Sequence, residues 1–481
     1  MAVNMQPLHW RLPSLWARTA QRADARSTSC HGRCMSVASH HPRITLTREQ
    51  PGELMPEPRV LLMVASSLNP DLLKTPHEMG LEVVLAAALP PADDSLYDVH
   101  LAVDEMDEEA VLAAVRTYIA NGGRLDAVAT FHEGALHVAA RISDELGLPG
   151  NSPEAVRAMR DKYITGKRLT EAGVPTPRTR VATSFTQAQE VAAELGFPLV
   201  LKPQASASSQ GVTKTENEAD LKAAFENIIG LYEPESFTEG EYSVPNVAHI
   251  YAYPQAQGVL IQEYVPGDEF AVDFVYGRGE YRPMAIHDKP YPFAEPHFIE
   301  GAYATPSALP AVEQHRLIET SVAALKALGA TVGGAHVELR LTDEGPKIIE
   351  VNGRLGGTTA FVQESIREST GVWGPREYLR AVLGEPVDFT VAPQPTPAGF
   401  APLLADRTGE IAGFEGIAEV EATPDIIGLR WMAKPGDHVV IKYPENPVSC
   451  FALVLAKGET REDVLSALEG AEKVLKPIYT D

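Results

Sequence analysis

The chain has 481 residues, of which 44% are hydrophobic and 22% charged, and this profile predicts a soluble protein of several packed units. Its 65 acidic residues outnumber 41 Lys and Arg, and the net charge of −24 argues against a nucleic-acid partner. No apolar run approaches the roughly 18 residues of a membrane helix, so no membrane partner is expected. The cysteines, Cys30, Cys34 and Cys450, form no disulfide framework and favour a cytoplasmic location.

Residues 1–57 differ in composition from the rest of the chain. Between Met1 and Arg43 there are six arginines, no lysine and one acid. An Arg-rich, acid-poor stretch is typical of an organelle transit peptide. A disordered tail, or an early start with Met35 or Met55 as the alternative, is the interpretation we favour, because nothing else indicates import.

An alternation of strand and helix begins near residue 58 and predicts a parallel α/β domain over residues 58–150. Apolar runs predict the strands Arg59–Ser66, Leu81–Ala87 and Leu125–Thr130, and helical spacing predicts the helices Glu108–Asn121 and Gly134–Leu146. The carboxyl ends of such strands can form part of a substrate site.

A second domain is predicted over residues 151–390, beginning with Ser152 as a helix N-cap and Pro153 at the first helical position. It divides into a smaller lobe (174–230) and a larger lobe (259–390). The segments that support this division are a helix at Lys162–Ala172, a loop-like lid or insertion at Tyr232–Gln257 and a helix at Ala311–Leu328. A C-terminal α+β unit over residues 391–481, rich in strands, ends in a helix at Arg461–Leu475.

The strongest local signal is the segment AHVELRLTDEGPKIIEVNGRLGG at Ala335–Gly357. If it folds as an antiparallel hairpin centred near Glu344, Glu338 and Glu350 lie opposite each other, with Cβ atoms about 5 Å apart. Asn352 and Arg354 share their face while the strand remains extended. Two close carboxylates and a carboxamide suit Mg²⁺, and a guanidinium suits oxyanions. The alternative is an exposed acidic hairpin that Arg354 neutralises.

A second signal is the strand FPLVLK at Phe197–Lys202, followed by a loop of small residues that ends at Gly211. A lysine at the end of a buried strand needs a counter-charge, and a Ser/Gly loop can fold its N–H groups over phosphates. The alternative is a surface hairpin whose lysine extends to solvent.

A third signal is the segment VLIQEYVPGDEFAVDF at Val259–Phe274. A strand ends at Glu263, the chain turns at Pro266-Gly267, and Glu269 follows in the next strand. Glu263 and the nearby backbone could pair with an adenine edge, and Glu269 could reach sugar hydroxyls. Any hairpin with two acids would give the same pattern.

The region Pro149–Gly384 resembles the ATP-grasp superfamily. The resemblance depends on four segments in this order: DKYITGKRLTEAGVPTPR, FPLVLKPQASASSQGV, LIQEYVPGDEFAVD and HVELRL…IIEVNGR. The likeness is greatest to the L-amino-acid (dipeptide) ligase group. It implies an α/β ATP-grasp fold, with an N-terminal pre-ATP-grasp domain and a C-terminal β-rich unit. It also implies an enzyme that joins a carboxylate to an amine through an acyl-phosphate and uses ATP and Mg²⁺, with Mn²⁺ as a substitute.

The resemblance also assigns roles to single residues. The ATP-contacting set comprises Lys162, Lys202, Ser206, Ser208, Ser209, Gly211, Glu263, Tyr264, Val265 and Glu269. The metal ligands are Glu338, Glu350 and Asn352. Arg354, with Lys202, is implied in catalysis, and the substrate side comprises Glu300, Tyr303, Arg354, Gly356 and Gly357.

One departure concerns the amine substrate, because Tyr303 occupies a position where a histidine is expected. His287 and His297 are spare candidates for accepting the proton of the amine. The partners implied are small-molecule carboxylates and amines, and a homodimer is compatible with the analogy. The competing functions are carboxylation through carboxyphosphate and non-catalytic nucleotide binding.

Overall fold

The computed structural model describes residues 59–64, 70–204, 209, 211–232, 258–290, 296–299, 301–357, 361–441 and 449–480. The predicted N-terminal tail, the predicted lid after Tyr232 and most of the small-residue loop lie outside the described residues. Within the part of the chain that is described, no helix has the length and apolar character needed to cross a bilayer.

The strands are β1 (Val60–Val64), β2 (Glu82–Ala87), β3 (Val99–Ala102), β4 (Ala127–Ala129), β5 (Thr179–Ala182), β6 (Leu199–Pro203), β7 (Thr213–Thr215), β8 (Val259–Glu263), β9 (Asp268–Gly277), β10 (Glu280–Asp288), β11 (Tyr303–Thr305), β12 (Gly333–Thr342), β13 (Gly345–Asn352), β14 (Ala398–Leu404), β15 (Gly409–Glu415), β16 (Ile426–Trp431), β17 (His438–Val439), β18 (Cys450–Lys457) and β19 (Lys476–Tyr479). The helices are α1 (Pro70–Glu78), α2 (Glu108–Ala120), α3 (Leu136–Leu146), α4 (Pro153–Arg160), α5 (Lys162–Glu171), α6 (Phe185–Leu195), α7 (Glu218–Leu231), α8 (Ala311–Leu328), α9 (Val362–Thr370), α10 (Gly374–Val382), α11 (Ile417–Glu421) and α12 (Arg461–Val474).

The first sheet is parallel, with strand order β3-β2-β1-β4, and it confirms the predicted N-terminal α/β layer. Both of its faces are apolar, since all five residues of β1 are buried. Helices α2 and α3 contribute Val111, Val115 and Ile142 to the core on one face. The sequence did not indicate β3, because this four-residue strand, VHLA, is only partly buried.

Strands β5, β6 and β7 of the predicted smaller lobe (174–230) form a four-stranded sheet with β8, which lies in the predicted larger lobe (259–390), in the order β5-β8-β6-β7. Its strands pair antiparallel, and helices α6 and α7 pack on it around Leu199, Leu201 and Ile261. Lys202, near the end of β6, lies opposite Leu260, and Glu263, at the end of β8, lies opposite Leu199, so the two residues lie toward opposite ends of the paired strands.

The largest sheet has eight strands in the order β13-β12-β9-β10-β11-β14-β18-β16. Strands β14, β18 and β16, which come from the predicted C-terminal unit, continue the sheet that begins with the predicted large lobe. A further sheet has the order β17-β15-β19. These antiparallel strands and the parallel N-terminal sheet together confirm the predicted α/β class, with a parallel N-terminal domain and a β-rich C-terminal part.

Several local predictions are confirmed at the residue level. Glu338 pairs with Glu350 in the β12–β13 hairpin. Ser152 caps α4 by accepting a hydrogen bond from the Ala155 N–H, and Pro153 begins the helix. The helix predicted from Gly134 begins instead with a 3₁₀ turn at Glu133–Ala135, and regular α-helix follows from Leu136.

Candidate active site

One face of the large sheet carries a row of ionisable side chains. On β12, His336, Glu338 and Arg340 alternate with apolar residues, so they lie on the same side of the strand. They pair across the sheet with Asp273, Ala271 and Glu269 of β9. The ionisable side chains of β9 and β12 are therefore brought together by strand register.

The opposite face of β9 and β12 packs into an apolar core. Val337 and Leu339 of β12 are fully buried there with Val272 of β9. Helix α8 contributes Leu317 and Leu325 to the same core, and α4 and α5 pack beside it. A rigid apolar layer therefore supports the ionisable side chains from behind.

The two hairpin carboxylates are close to three cationic side chains. Glu350 Oε1 lies 3.1 Å from Lys162 Nζ at the beginning of α5. Glu338 Oε2 lies 3.5 Å from Lys289 Nζ, and its Oε1 lies 3.4 Å from His336 Nε2. Burial alone would raise the pKa of Glu338, but Lys289 and His336 outweigh it and hold that pKa well below its usual range.

The donor set on the hairpin fits a hard divalent cation. Glu338, Glu350 and Asn352 offer only oxygen ligands, and the register brings Asn352 opposite His336, next to the carboxylate pair. Among the described residues, no cluster of three or more His, Cys, Asp or Glu is arranged to enclose a metal ion. Two carboxylates and a carboxamide leave room for water and phosphate oxygens, which is the coordination that Mg²⁺ adopts with nucleotides.

Lys202 lies beside this pair and is buried, with 4% of its surface exposed. Burial lowers its pKa to about 8, the positive charge of Lys162 adds to the shift, and Glu350 opposes it. The backbone N–H of Lys162 donates to the Gln204 carbonyl at 3.1 Å, which ties α5 to the end of β6. The alternative of a lysine extending to solvent is therefore wrong, although β6 and β7 do form a hairpin.

The predicted phosphate loop is described only at Ser209 and Gly211, because Ser206 and Ser208 lie outside the described residues. Ser209 has a φ of 56°, and its hydroxyl donates to the Phe298 carbonyl at 3.0 Å. Gly211 has a φ of 70°, and a Cβ there would lie 2.9 Å from the Leu231 side chain. The C-terminal end of this loop is therefore held close to the segment 296–299.

The predicted adenine-contacting segment connects β8 to β9. Glu263 lies 2.6 Å from Arg178 Nε, and the Tyr264 N–H donates to the Pro198 carbonyl at 3.2 Å. The Val265 carbonyl accepts from the Arg340 guanidinium at 2.8 Å. These contacts fix the course of the segment.

Glu269, the predicted ribose ligand, is buried among cations. Its carboxylate oxygens lie 2.7 Å from Lys289 Nζ and 3.1 Å from Arg340 Nε. Burial raises the pKa of Glu269, and the neighbouring charge of Lys289 opposes that shift. Both oxygens of this carboxylate therefore have partners within the polar face.

Arg354 lies beyond β13, which ends at Asn352. Its Nε is 2.8 Å from Glu133 Oε2, in the 3₁₀ turn that follows β4 of the N-terminal sheet. Arg160 Nε approaches the other oxygen of Glu133 at 3.7 Å. The hairpin acids have other cationic partners, so the alternative in which Arg354 neutralises an acidic hairpin is wrong.

The predicted substrate side is described in part, since Glu300 lies outside the described residues. Tyr303 is buried, and its ring stacks on Phe400 with centroids 4.7 Å apart. Lys289 Nζ lies 5.1 Å from the centroid of the Tyr303 ring. His287 is fully buried and pairs with Ser365 Oγ at 2.9 Å, which removes it as an acceptor for a substrate proton.

The glycines that follow Arg354 lie against the polar face. The Gly356 N–H donates to Asp273 Oδ1 at 3.3 Å. Gly357 has a φ of 55°, a backbone conformation that glycine adopts without strain.

Sequence reasoning missed Asp273, Lys289, His336, Arg340 and Glu133. Two of these could have been found, because His336 and Arg340 are two residues on either side of Glu338 on the same strand. Asp273 and Lys289 become neighbours of the site only through the pairing of β9 with β12 and β10. Glu133 comes from another sheet, and nothing in its local sequence indicates Arg354 as its partner.

Comparison with known families and solved structures supports the predicted ATP-grasp fold. The family described as ATP-grasp domain matches residues 195–361, and the family described as L-amino acid ligase C-terminal domain 2 matches residues 401–480. The crystal structure of L-amino acid ligase from Bacillus licheniformis superposes with a TM-score of 0.73 at 22% identity, covering 89% of this chain and 100% of that one. The predicted ATP-grasp fold is thereby confirmed.

Two curated relatives carry ligase or synthase names. Alanine–anticapsin ligase of Bacillus subtilis is 29% identical over 255 residues, which are 52% of each chain. Carnosine synthase 1 of Gallus gallus is 30% identical over 287 residues, 58% of this chain and 29% of that one. The chain thus spans about half the length of the first relative and less than a third of the second.

Proposed function

Because this chain belongs to the ATP-grasp ligases, with an ATP-grasp domain followed by an L-amino acid ligase C-terminal domain, we propose that it joins an amino-acid carboxylate to an amine. The reaction proceeds through an acyl-phosphate and releases ADP and phosphate. The observation that carries the proposal is the convergence of Lys162, Glu350 and Glu338 beside the buried Lys202.

Each part of a bound nucleotide is assigned its own set of residues. Lys162 and Lys202 hold the phosphates, with Ser206, Ser208, Ser209 and Gly211 closing over them. Glu263, Tyr264 and Val265 contact adenine, and Glu269 lies toward the ribose. Glu338, Glu350 and Asn352 would hold Mg²⁺, which supplies charge neutralisation between the phosphates and the acidic hairpin.

Lys162 has two roles in this arrangement. Without nucleotide it neutralises Glu350 across 3.1 Å. With nucleotide bound, the phosphates offer Lys162 a stronger anionic partner, and the Glu350 carboxylate becomes available as a metal ligand. The site therefore exchanges one set of charge partners for another, with no carboxylate left uncompensated.

The chemistry has two steps. A carboxylate oxygen of the substrate attacks the γ-phosphorus, a new O–P bond forms, and the bond to the leaving ADP oxygen breaks. The amine nitrogen then attacks the acyl carbon, the C–O bond to phosphate breaks, and the proton of the amine leaves with the phosphate. Arg354 donates to the oxygens that gain negative charge, and its contact with Glu133 keeps the guanidinium in place.

An amino acid is the first choice of carboxylate because alanine appears in the name of a relative. Glu300 is proposed to face the amino end of a substrate. Tyr303, stacked on Phe400, gives the substrate side an aromatic wall where a histidine is expected in the resembling ligases. We therefore propose that the amine is selected by shape and aromatic contact at Tyr303.

The test is release of ADP and phosphate from ATP and Mg²⁺ with pooled L-amino acids, followed by mass spectrometry of the products. The proposal predicts release that depends on two added compounds and a product lighter than their sum by one water. Lys202→Met is the inactive control. Release that depends on bicarbonate would replace the proposal with a carboxylase, and nucleotide binding without turnover would replace it with a non-catalytic role.

A further inference from the structure

Asp273 is a buried carboxylate at the centre of the polar face, with no exposed surface. Its Oδ1 lies 3.0 Å from His336 Nδ1, and its Oδ2 lies 3.3 Å from His287 Nδ1. The Gly356 N–H also donates to Oδ1. A single carboxylate therefore contacts two histidines and the backbone of the loop that carries Arg354.

The two histidines differ in what they contact next. His336 continues through Nε2 to Glu338 Oε1 at 3.4 Å, so it bridges Asp273 to a proposed metal ligand. His287 continues through Nε2 to Ser365 Oγ at 2.9 Å, inside the protein and away from the hairpin. Both side chains are buried, with 7% and 0% of their surface exposed, but only His336 is hydrogen-bonded to Asp273, and His287 approaches the other carboxylate oxygen without hydrogen-bond geometry.

Gly356 adds a steric constraint to the same pair. A Cβ at this position would lie 2.5 Å from His336 Nδ1 and 2.6 Å from Asp273 Oδ1, closer than non-bonded atoms approach. The loop backbone is therefore in direct contact with the Asp273–His336 pair. A displacement of either side chain would be transmitted to the loop, and through it to Arg354.

We propose that Asp273 and His336 act as one positioning unit, which orients the Glu338 carboxylate toward the metal and holds the Gly356 loop in register with it. The inference rests on the proposed function, because it presupposes a metal at Glu338. Groups that hydrogen-bond to metal ligands fix their orientation, and their loss typically weakens metal affinity about 10- to 100-fold. Because Asp273 contacts both His336 and the Gly356 N–H, it fixes the position of the proposed metal ligand Glu338 relative to the loop that carries Arg354.

The experiment titrates Mn²⁺ onto the full chain saturated with ADP and follows bound Mn²⁺ by electron paramagnetic resonance. His336→Gln should weaken Mn²⁺ binding at least 10-fold, whereas His287→Gln should stay close to the wild type. If both variants weakened Mn²⁺ binding equally, the inference would be overturned, and the two histidines would have only a general structural role. Asp273→Asn, which keeps the side-chain volume, is the second variant if His336→Gln loses cooperative thermal unfolding.

The connection to the loop is tested with glycine substitutions in the same assay. Gly356→Ala should weaken Mn²⁺ binding although the residue offers no metal ligand, because its Cβ displaces the pair. Gly470→Ala is the control, since a Cβ there meets nothing within 4 Å. Unchanged Mn²⁺ affinity in Gly356→Ala would refute the coupling. A wild-type protein that binds ADP but no Mn²⁺ would overturn the proposed metal site itself, and this outcome is distinct from equal behaviour of the two histidine variants.

Discussion

Arg354 connects the proposed chemistry to the N-terminal sheet, since its guanidinium lies 2.8 Å from Glu133. We predict that Arg354→Ala leaves ATP affinity nearly unchanged and lowers turnover about 100-fold or more, because a donor aimed at transition-state charge acts mainly on kcat. Calorimetric ATP binding and steady-state ADP release measure the two quantities. Arg376→Ala, at a half-exposed arginine 3.9 Å from Glu78, is the control. Loss of ATP binding with normal turnover at saturation would contradict the assigned role.

Lys202 gives the site a pH dependence. Burial lowers its pKa to about 8, so the nucleotide-free protein loses this charge as the pH rises through 8. Phosphates favour the charged form, and ATP binding should therefore take up a proton above pH 8 and weaken as the pH increases. Calorimetry in buffers of different ionisation enthalpy measures the uptake. Lys202→Met should abolish it, and equal uptake in both proteins would exclude Lys202 as the group.

The lowered pKa of Lys202 should affect the stability of the nucleotide-free protein in the direction opposite to its effect on ATP affinity. The unfolded chain keeps the Lys202 proton up to a pKa of about 10.4, whereas the folded chain releases it near 8. Between these values the unfolded state binds more protons, so the contribution of Lys202 to the free energy of unfolding increases with pH. Affinity and stability should therefore change in opposite directions in this window.

At the scale of elements, the turn between β8 and β9 depends on a close approach of two backbones. Gly267 has a φ of +107°, and a Cβ there would lie 2.1 Å from the Leu341 carbonyl oxygen at the end of β12. Gly279, in the β9–β10 turn, has a φ of +84° and open space around its Cβ position. Both substitutions to alanine incur backbone strain of about 1–2 kcal/mol, but only Gly267→Ala also forces β9 and β12 apart.

We therefore predict that Gly267→Ala lowers the free energy of unfolding more than Gly279→Ala does, and that it alone weakens ATP binding. The reason is that Gly267 separates Val265 from Glu269, which are both held by Arg340. Urea denaturation and nucleotide titration of the two variants measure the effects. Equal losses of stability with unchanged ATP affinity would show that the turn does not position the nucleotide segment.

How much the sequence predicts depends on whether an interaction is local. The Glu338–Glu350 register follows from the turn at Glu344 and the period of two, so it could be predicted from one continuous segment. The partners of those carboxylates could not, because Lys162 and Lys289 reach the hairpin only through helix packing and strand pairing. The Arg354–Glu133 contact joins residues more than 200 positions apart and depends on how two sheets are packed.

At the scale of the whole molecule, α10 joins the N-terminal sheet to the large sheet. Leu379 of α10 is fully buried in a core that includes Leu61 and Phe131 on one side and Phe400 and Leu453 on the other. Hydrogen bonds reinforce the contact, since Trp373 Nε1 donates to Thr75 Oγ1 at 3.0 Å and the Tyr378 hydroxyl donates to the Thr130 carbonyl at 3.2 Å. The two sheets therefore share one apolar core, and this packing brings Glu133 close to Arg354.

This shared core predicts cooperative unfolding of both sheets. Leu379→Ala removes a buried side chain and should lower the free energy of unfolding by about 2–5 kcal/mol, with one transition that tryptophan fluorescence and far-ultraviolet circular dichroism report together. Val312→Ala, at a residue that is 64% exposed, should change stability by less than about 0.5 kcal/mol. Two separated transitions in Leu379→Ala would contradict the shared core.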